Sequence, residues 1–162
     1  VHALILSGGF VSRAPMYVMR GAMPIRSLTY YMQQFWLPIG VRIAGHMMIP
    51  TVPFKEAYFF EDALKFREAV KLPLVYVGGL VSREKIDMVL DAGFDGVSMA
   101  RALLNEPDFV NRMGREENAR NACEHANYCI ARMYSREMAC HKHIPDLPKK
   151  LLKELESASK KN

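Results

Sequence analysis

The chain has 162 residues, half of them hydrophobic and 24% charged, with 22 Lys and Arg against 17 Asp and Glu, a formal charge of +5 and a pI near 9.2. That composition is globular and suits one domain of ordinary size, which excludes an extensively disordered chain. The basic residues are dispersed among the acids with no aromatic-interleaved basic stripe, which argues against nucleic-acid binding.

No apolar run reaches the roughly 18 residues of a spanning helix, and the N-terminus lacks the basic, apolar, small-residue order of a signal peptide. Three cysteines, an odd number in one short stretch, fit reduced thiols better than a disulfide framework. The expected setting is the cytoplasm, with no membrane partner. The chain opens on Val1 and runs directly into His2-Ala3-Leu4-Ile5-Leu6, a buried-strand pattern that needs neighbours for its backbone groups. It reads as a chain cut within a larger fold.

That first strand ends at Ser7-Gly8-Gly9, where glycines permit a sharp turn. Residues 10–53, rich in Met, Arg, Pro and aromatics, read as a long irregular segment with one helix from Ser27 to Trp36, capped by Ser27. Phe59, Ala63, Phe66 and Val70 then recur at helical spacing with charges between them. Pro73 precedes Leu74-Val75-Tyr76-Val77, a continuous apolar run typical of a parallel strand covered on both faces, closed by Gly78-Gly79. Ser82 is the expected N-cap of a helix over 83–92, with Gly93 at its end. A short strand over 94–99 leads into a helix opened by Ala100-Arg101. This rhythm predicts βαβ units and a parallel sheet. The tail from Lys149 to Lys161 reads as a solvated terminal helix.

Two places carry chemistry. Gly78-Gly79 leaves its amides uncovered by side chains, and Ala100-Arg101 opens a helix whose first N–H groups, with a guanidinium beside them, favour an anion. Both lie at strand C-termini, where α/β folds place ligands. On spacing alone, ordinary tight turns account for these residues equally well.

The ordered set Leu74-Val75-Tyr76-Val77-Gly78-Gly79-Leu80, Gly93 to Leu104, and Glu106-Pro107-Asp108-Phe109-Val110 closely resembles the end of the Old Yellow Enzyme family of NADH:flavin oxidoreductases. Ala3-Leu4-Ile5-Leu6-Ser7-Gly8-Gly9 is similar to that family's sixth barrel strand, and 54–59 to the approach to the following helix. The resemblance implies an α/β fold, part of a (β/α)8 TIM barrel covering about strands six to eight over residues 1–114, with a helical, Cys-containing extension over 115–162. It implies FMN as cofactor, NAD(P)H as reductant and an activated alkene or related small molecule as acceptor. Carried over by position, Gly78, Gly79, Ala100 and Arg101 hold the FMN phosphate. Many relatives have glycine where Ala100 stands. The family's substrate-anchoring histidines and proton-donor tyrosine have no counterparts here, so catalytic residues stay unassigned.

Tyr17, Arg20 and Arg26 fall in the long segment that, by the resemblance, overlies the active-site mouth, although a solvated loop is the plainer account. Cys123, Cys129 and Cys140 fall where some of these relatives bind an iron–sulfur cluster. Ala126 replaces one expected cysteine, which argues against a cluster. His125, His141 or His143 could complete a metal set, but no intact spacing motif supports one. His2 and His46 read as structural. The alternative reading is a non-catalytic or truncated half-barrel that binds a phosphate-bearing ligand or assembles with another half or a second copy.

Overall fold

The structure, a computed structural model, describes residues 1–7, 20–49, 51–133 and 136–161 and, within these, all side chains except those of residues 46 and 48. In chain order the elements are β1 (Leu4–Leu6), α1 (Ile25–Tyr30), α2 (Leu37–Met48), α3 (Phe60–Ala69), β2 (Leu74–Val77), α4 (Arg83–Asp91), β3 (Gly96–Ser98), α5 (Arg101–Asn105), α6 (Phe109–Arg115), α7 (Tyr128–Met133), a 3-10 turn (His141–His143) and α8 (Lys149–Ser159). They divide into two compact units: Val1–Val18 with Lys55–Cys123, and Met19–Phe54 with Glu124–Asn162.

The first unit is the α/β part. Its three strands are parallel in the order β1-β2-β3, with Leu4 opposite Leu74, Val75 opposite Gly96 and Val77 opposite Ser98. The α/β character expected from the sequence is present; the TIM-barrel expectation is corrected. Closing a barrel takes about eight tilted, staggered strands, whereas the described residues form an open ribbon of strands three, four and three residues long. Leu74 and Tyr76, both fully buried on one face of β2, centre the core, and Ile5 at the β1 edge is 65% exposed.

Local chemistry explains the boundaries in this unit. The Ser82 hydroxyl accepts the Lys85 amide and starts α4, and Gly93, with φ +91°, ends it. Asp95 pins the entry of β2: its amide donates to the Leu74 carbonyl at 2.9 Å and its carboxylate accepts the Leu74 amide at 2.8 Å. That reciprocal pair fixes the β2–β3 register, so a one-residue slip would break two bonds at once.

The second unit is helical. Its core joins Ala22, Ala126, Tyr128, Leu147, Leu151, Leu155 and Ala158. Here the sequence reading needs two corrections. Residues 25–48, expected to be irregular apart from one helix starting after Ser27, hold α1 and α2, and Ser27 lies buried inside α1 rather than capping it. α8 is also more than a solvated tail, since Leu151, Leu155 and Ala158 bury one face of it.

α1 has no cap from its own N-terminal residue, Pro24. The Arg26 and Ser27 amides and the Ser27 hydroxyl instead donate to the Glu154 carboxylate of α8 at 2.7, 2.9 and 3.0 Å. An acid at a helix start satisfies orphan amides and faces the positive end of the dipole.

Candidate functional site

The parallel register decides where the candidate residues fall. Because Val77 pairs with Ser98, the turn Gly78-Gly79 leaving β2 and the segment Met99-Ala100-Arg101 leaving β3 emerge from neighbouring strands in the same direction. All four residues expected to grip a phosphate therefore lie just beyond the ends of adjacent strands of one sheet, Arg101 as the first residue of α5.

The glycine turn is held by the Tyr76 hydroxyl and by its own backbone conformation. Gly78 has φ +154° and Gly79 φ +67°, conformations open to glycine and strained for other residues. The Tyr76 hydroxyl donates to the Gly78 carbonyl at 3.1 Å and accepts the Phe59 amide at 3.2 Å. A Cβ on Gly78 would lie 2.8 Å from that hydroxyl. Burial pushes the Tyr76 phenol up to about 12, against the opposing pull of the Phe59 amide, so at neutral pH it remains a donor.

Beyond the turn, Glu56 receives the chain. Its Oε1 accepts the Val81 amide at 2.8 Å, the Ser82 amide at 2.7 Å and the Ser82 hydroxyl at 2.8 Å, while Oε2 meets Arg120 at 3.2 Å. A carboxylate only 10% exposed is thus matched by four donors.

Asn121 ties the two loops together. Its amide donates to the Val81 carbonyl at 2.7 Å, beside the glycine turn. Its Nδ2 donates to the Ala102 carbonyl in α5 at 3.1 Å, and its Oδ1 accepts from Asn105 at 3.1 Å. Asn121 is 4% exposed, so these bonds form away from water, where a lost partner is most costly. Next to it Glu106 takes a two-pronged contact from Arg112, whose hydrogen bonds are the main reason its carboxyl sits below the ordinary carboxylate value.

Ala100 is exposed and precedes α5, with its carbonyl accepting the Leu104 amide at 3.0 Å. Arg101, half-buried, is the first helical residue. The sequence reading missed Glu56, Tyr76, Asn121 and Asp95. Only Tyr76 carried a signal, a phenol inside an otherwise aliphatic strand, where a buried hydroxyl needs a partner.

Of the other candidates, Tyr17 lies outside the described residues. Arg20 and Arg26 belong to the helical unit, where the Arg20 carbonyl accepts from Asn127 and the Arg26 amide caps α1 against Glu154. Cys123, Cys129 and Cys140 are half-buried thiols outside any disulfide. Among the described residues no three His, Cys, Asp or Glu side chains are grouped as a metal set. His125 stacks on Phe54 at 3.4 Å between ring centroids, and burial lowers His141 below the ordinary histidine value. His2 is exposed, and the side chain of His46 is outside the described set. No described helix is long and apolar enough to cross a membrane.

The fold and site define an open parallel α/β unit with a glycine turn and a cationic helix start at neighbouring strand ends, joined to a helical unit in sequence. The chain is similar to the 4,4'-dithiodibutanoate disulfide reductase of Rhodococcus erythropolis, with 35% identity over 135 residues, or 83% of this chain and 33% of that protein. It thus spans about a third of the length of this curated relative. No protein-family profile and no solved structure matches it.

Proposed function

We propose that this chain carries the FMN-phosphate grip of an NAD(P)H-dependent oxidoreductase of the Old Yellow Enzyme, ene-reductase type. The observation that carries the reading is the β2–β3 register, which presents the Gly78-Gly79 turn and the Ala100-Arg101 helix start side by side. These residues fit a phosphate monoester: two glycines keep side chains off the turn amides, and a guanidinium supplies a forked, permanently charged donor. Gly78 and Gly79 bind through backbone N–H groups, Ala100 through its position before α5, and Arg101 through its side chain.

Bound FMN supplies the hydride relay between NAD(P)H and the acceptor; this chain's own residues bind and orient. Glu56, Tyr76 and Asn121 act as positioning residues, holding the two loops in place without touching the ligand.

The similar protein's name favours a particular acceptor. A disulfide reduced by NAD(P)H takes up a hydride equivalent and a proton and leaves as two thiols, so an organic disulfide stands beside the activated alkene as acceptor class. A non-catalytic module that only holds a phosphate-bearing ligand is the rival reading. With dioxygen excluded, because it also reoxidises reduced flavin, purified protein supplied with FMN is expected to turn over NAD(P)H only when disulfide or alkene is added. Tight FMN binding with no such turnover would leave the module, and absence of FMN binding would defeat the oxidoreductase reading.

A further inference from the structure

The helical unit carries an apolar stripe that its core does not use. On α2, Ile39, Ile43 and Met47 recur every fourth residue and are 60%, 77% and 87% exposed. Phe35 and Trp36, just before the helix, are 87% and 63% exposed. The opposite face is packed, with buried Gly45 so close to α1 that a Cβ would meet Ile25 Cδ1 at 3.1 Å. The one Lys, Arg, Asp or Glu of α2 is Arg42, and its Nε donates to Thr29 of α1 at 2.9 Å. Scattered exposed apolar residues are ordinary, whereas a contiguous patch of several hundred Å² marks an interaction surface.

We infer that this stripe is the face by which two copies of the chain pair, with their α2 helices antiparallel across a twofold axis. Area supports the occupant. Phe35 and Trp36 each bring an aromatic surface of about 150 Å² or more, and with Ile39, Ile43 and Met47 the patch on each copy reaches several hundred Å², which doubled across a pair comes to about 1,000 Å², the lower end of specific interfaces. The spacing is self-complementary. A twofold axis midway between positions 41 and 42 sets Trp36 opposite Met47 and Gly40 opposite Ile43 of the second copy. Gly40 is exposed, and a Cβ there would meet nothing within 4 Å, which leaves room for an isoleucine to seat over it. A lipid surface fits less well, because interfacial helices carry a Lys- and Arg-rich polar face and α2 has a single cation.

Sedimentation equilibrium of the native chain, Ile43→Glu and Gly40→Leu, with circular dichroism on each, tests the pairing. The native chain is expected to dimerise at micromolar concentration. Ile43→Glu should weaken the dimer by about a hundredfold and Gly40→Leu by about tenfold, with the helical signal kept in both. The double variant Trp36→Cys with Met47→Cys should oxidise to a covalent dimer that neither single variant forms. A native chain that stays monomeric, an Ile43→Glu dimer as tight as the native one, or a solution monomer that binds phosphatidylglycerol vesicles would overturn the inference.

Discussion

The two units place their stabilising polar contacts differently. In the α/β unit they range from local to middle distances: Ser82 caps the helix that follows it, Tyr76 reaches two residues along its own chain, and Asp95 pins a strand 21 positions away. In the helical unit the contact that starts α1 comes from Glu154, 127 and 128 positions away in sequence. The caps and turns of the first unit can be read from short windows. The second takes shape only when distant segments have come together.

The sharpest way to break this contrast is to remove the acid that serves the glycine loop. Glu56→Ala leaves the Val81 and Ser82 amides without their carboxylate, and we expect the α/β unit to lose about 3 kcal/mol by chemical denaturation. Gly78→Ala tests the turn itself. With φ +154° and a Cβ 2.8 Å from Tyr76 Oη, it should cost about 2 to 3 kcal/mol and weaken any ligand held by the turn, as thermal melts and binding curves will show.

Glu154→Ala probes the remote cap. A loss of about 2 kcal/mol is expected, with hydrogen exchange accelerating first at the amides of α1, whereas a variant with unchanged exchange there would show that α1 needs no cap from α8.

The smallest effect is electrostatic. Hydrogen bonds from Arg112 hold the Glu106 carboxyl below its ordinary 4.5, and those from Lys142 do the same for Glu124 in the other unit. Groups with depressed folded-state values stabilise above the unfolded value and lose that contribution as pH falls through the folded one. Stability should therefore decline as pH drops below about 4.5, and Glu106→Gln should flatten that acid limb in a pH series of melts.

Much of the α/β unit was legible in the sequence. The run Leu74–Val77, the cap Ser82 and the glycine Gly93 each mark a boundary with one physical meaning, and the structure has β2, α4 and their turns in those places. The irregular reading of 10–53, which rested on its Met, Arg, Pro and aromatic content, failed over α2, where Pro38 sits in the first turn, in which its missing N–H costs nothing, and Gly45 is small because α1 lies against it. The barrel expectation came from resemblance, and the described strands form an open sheet. Gly78, Gly79, Ala100 and Arg101 were legible as candidates. Glu56 and Asn121 were not, because their importance comes from chain segments that meet only in the folded unit.

The most direct test compares FMN with riboflavin, which differ by the phosphate alone, in fluorescence titrations of the native chain and Arg101→Ala. A phosphate grip gives FMN at least about a tenfold advantage in the native chain, and Arg101→Ala removes most of it. Equal affinity for the two flavins, or an advantage that survives Arg101→Ala intact, would contradict the assignment of these strand ends to the phosphate.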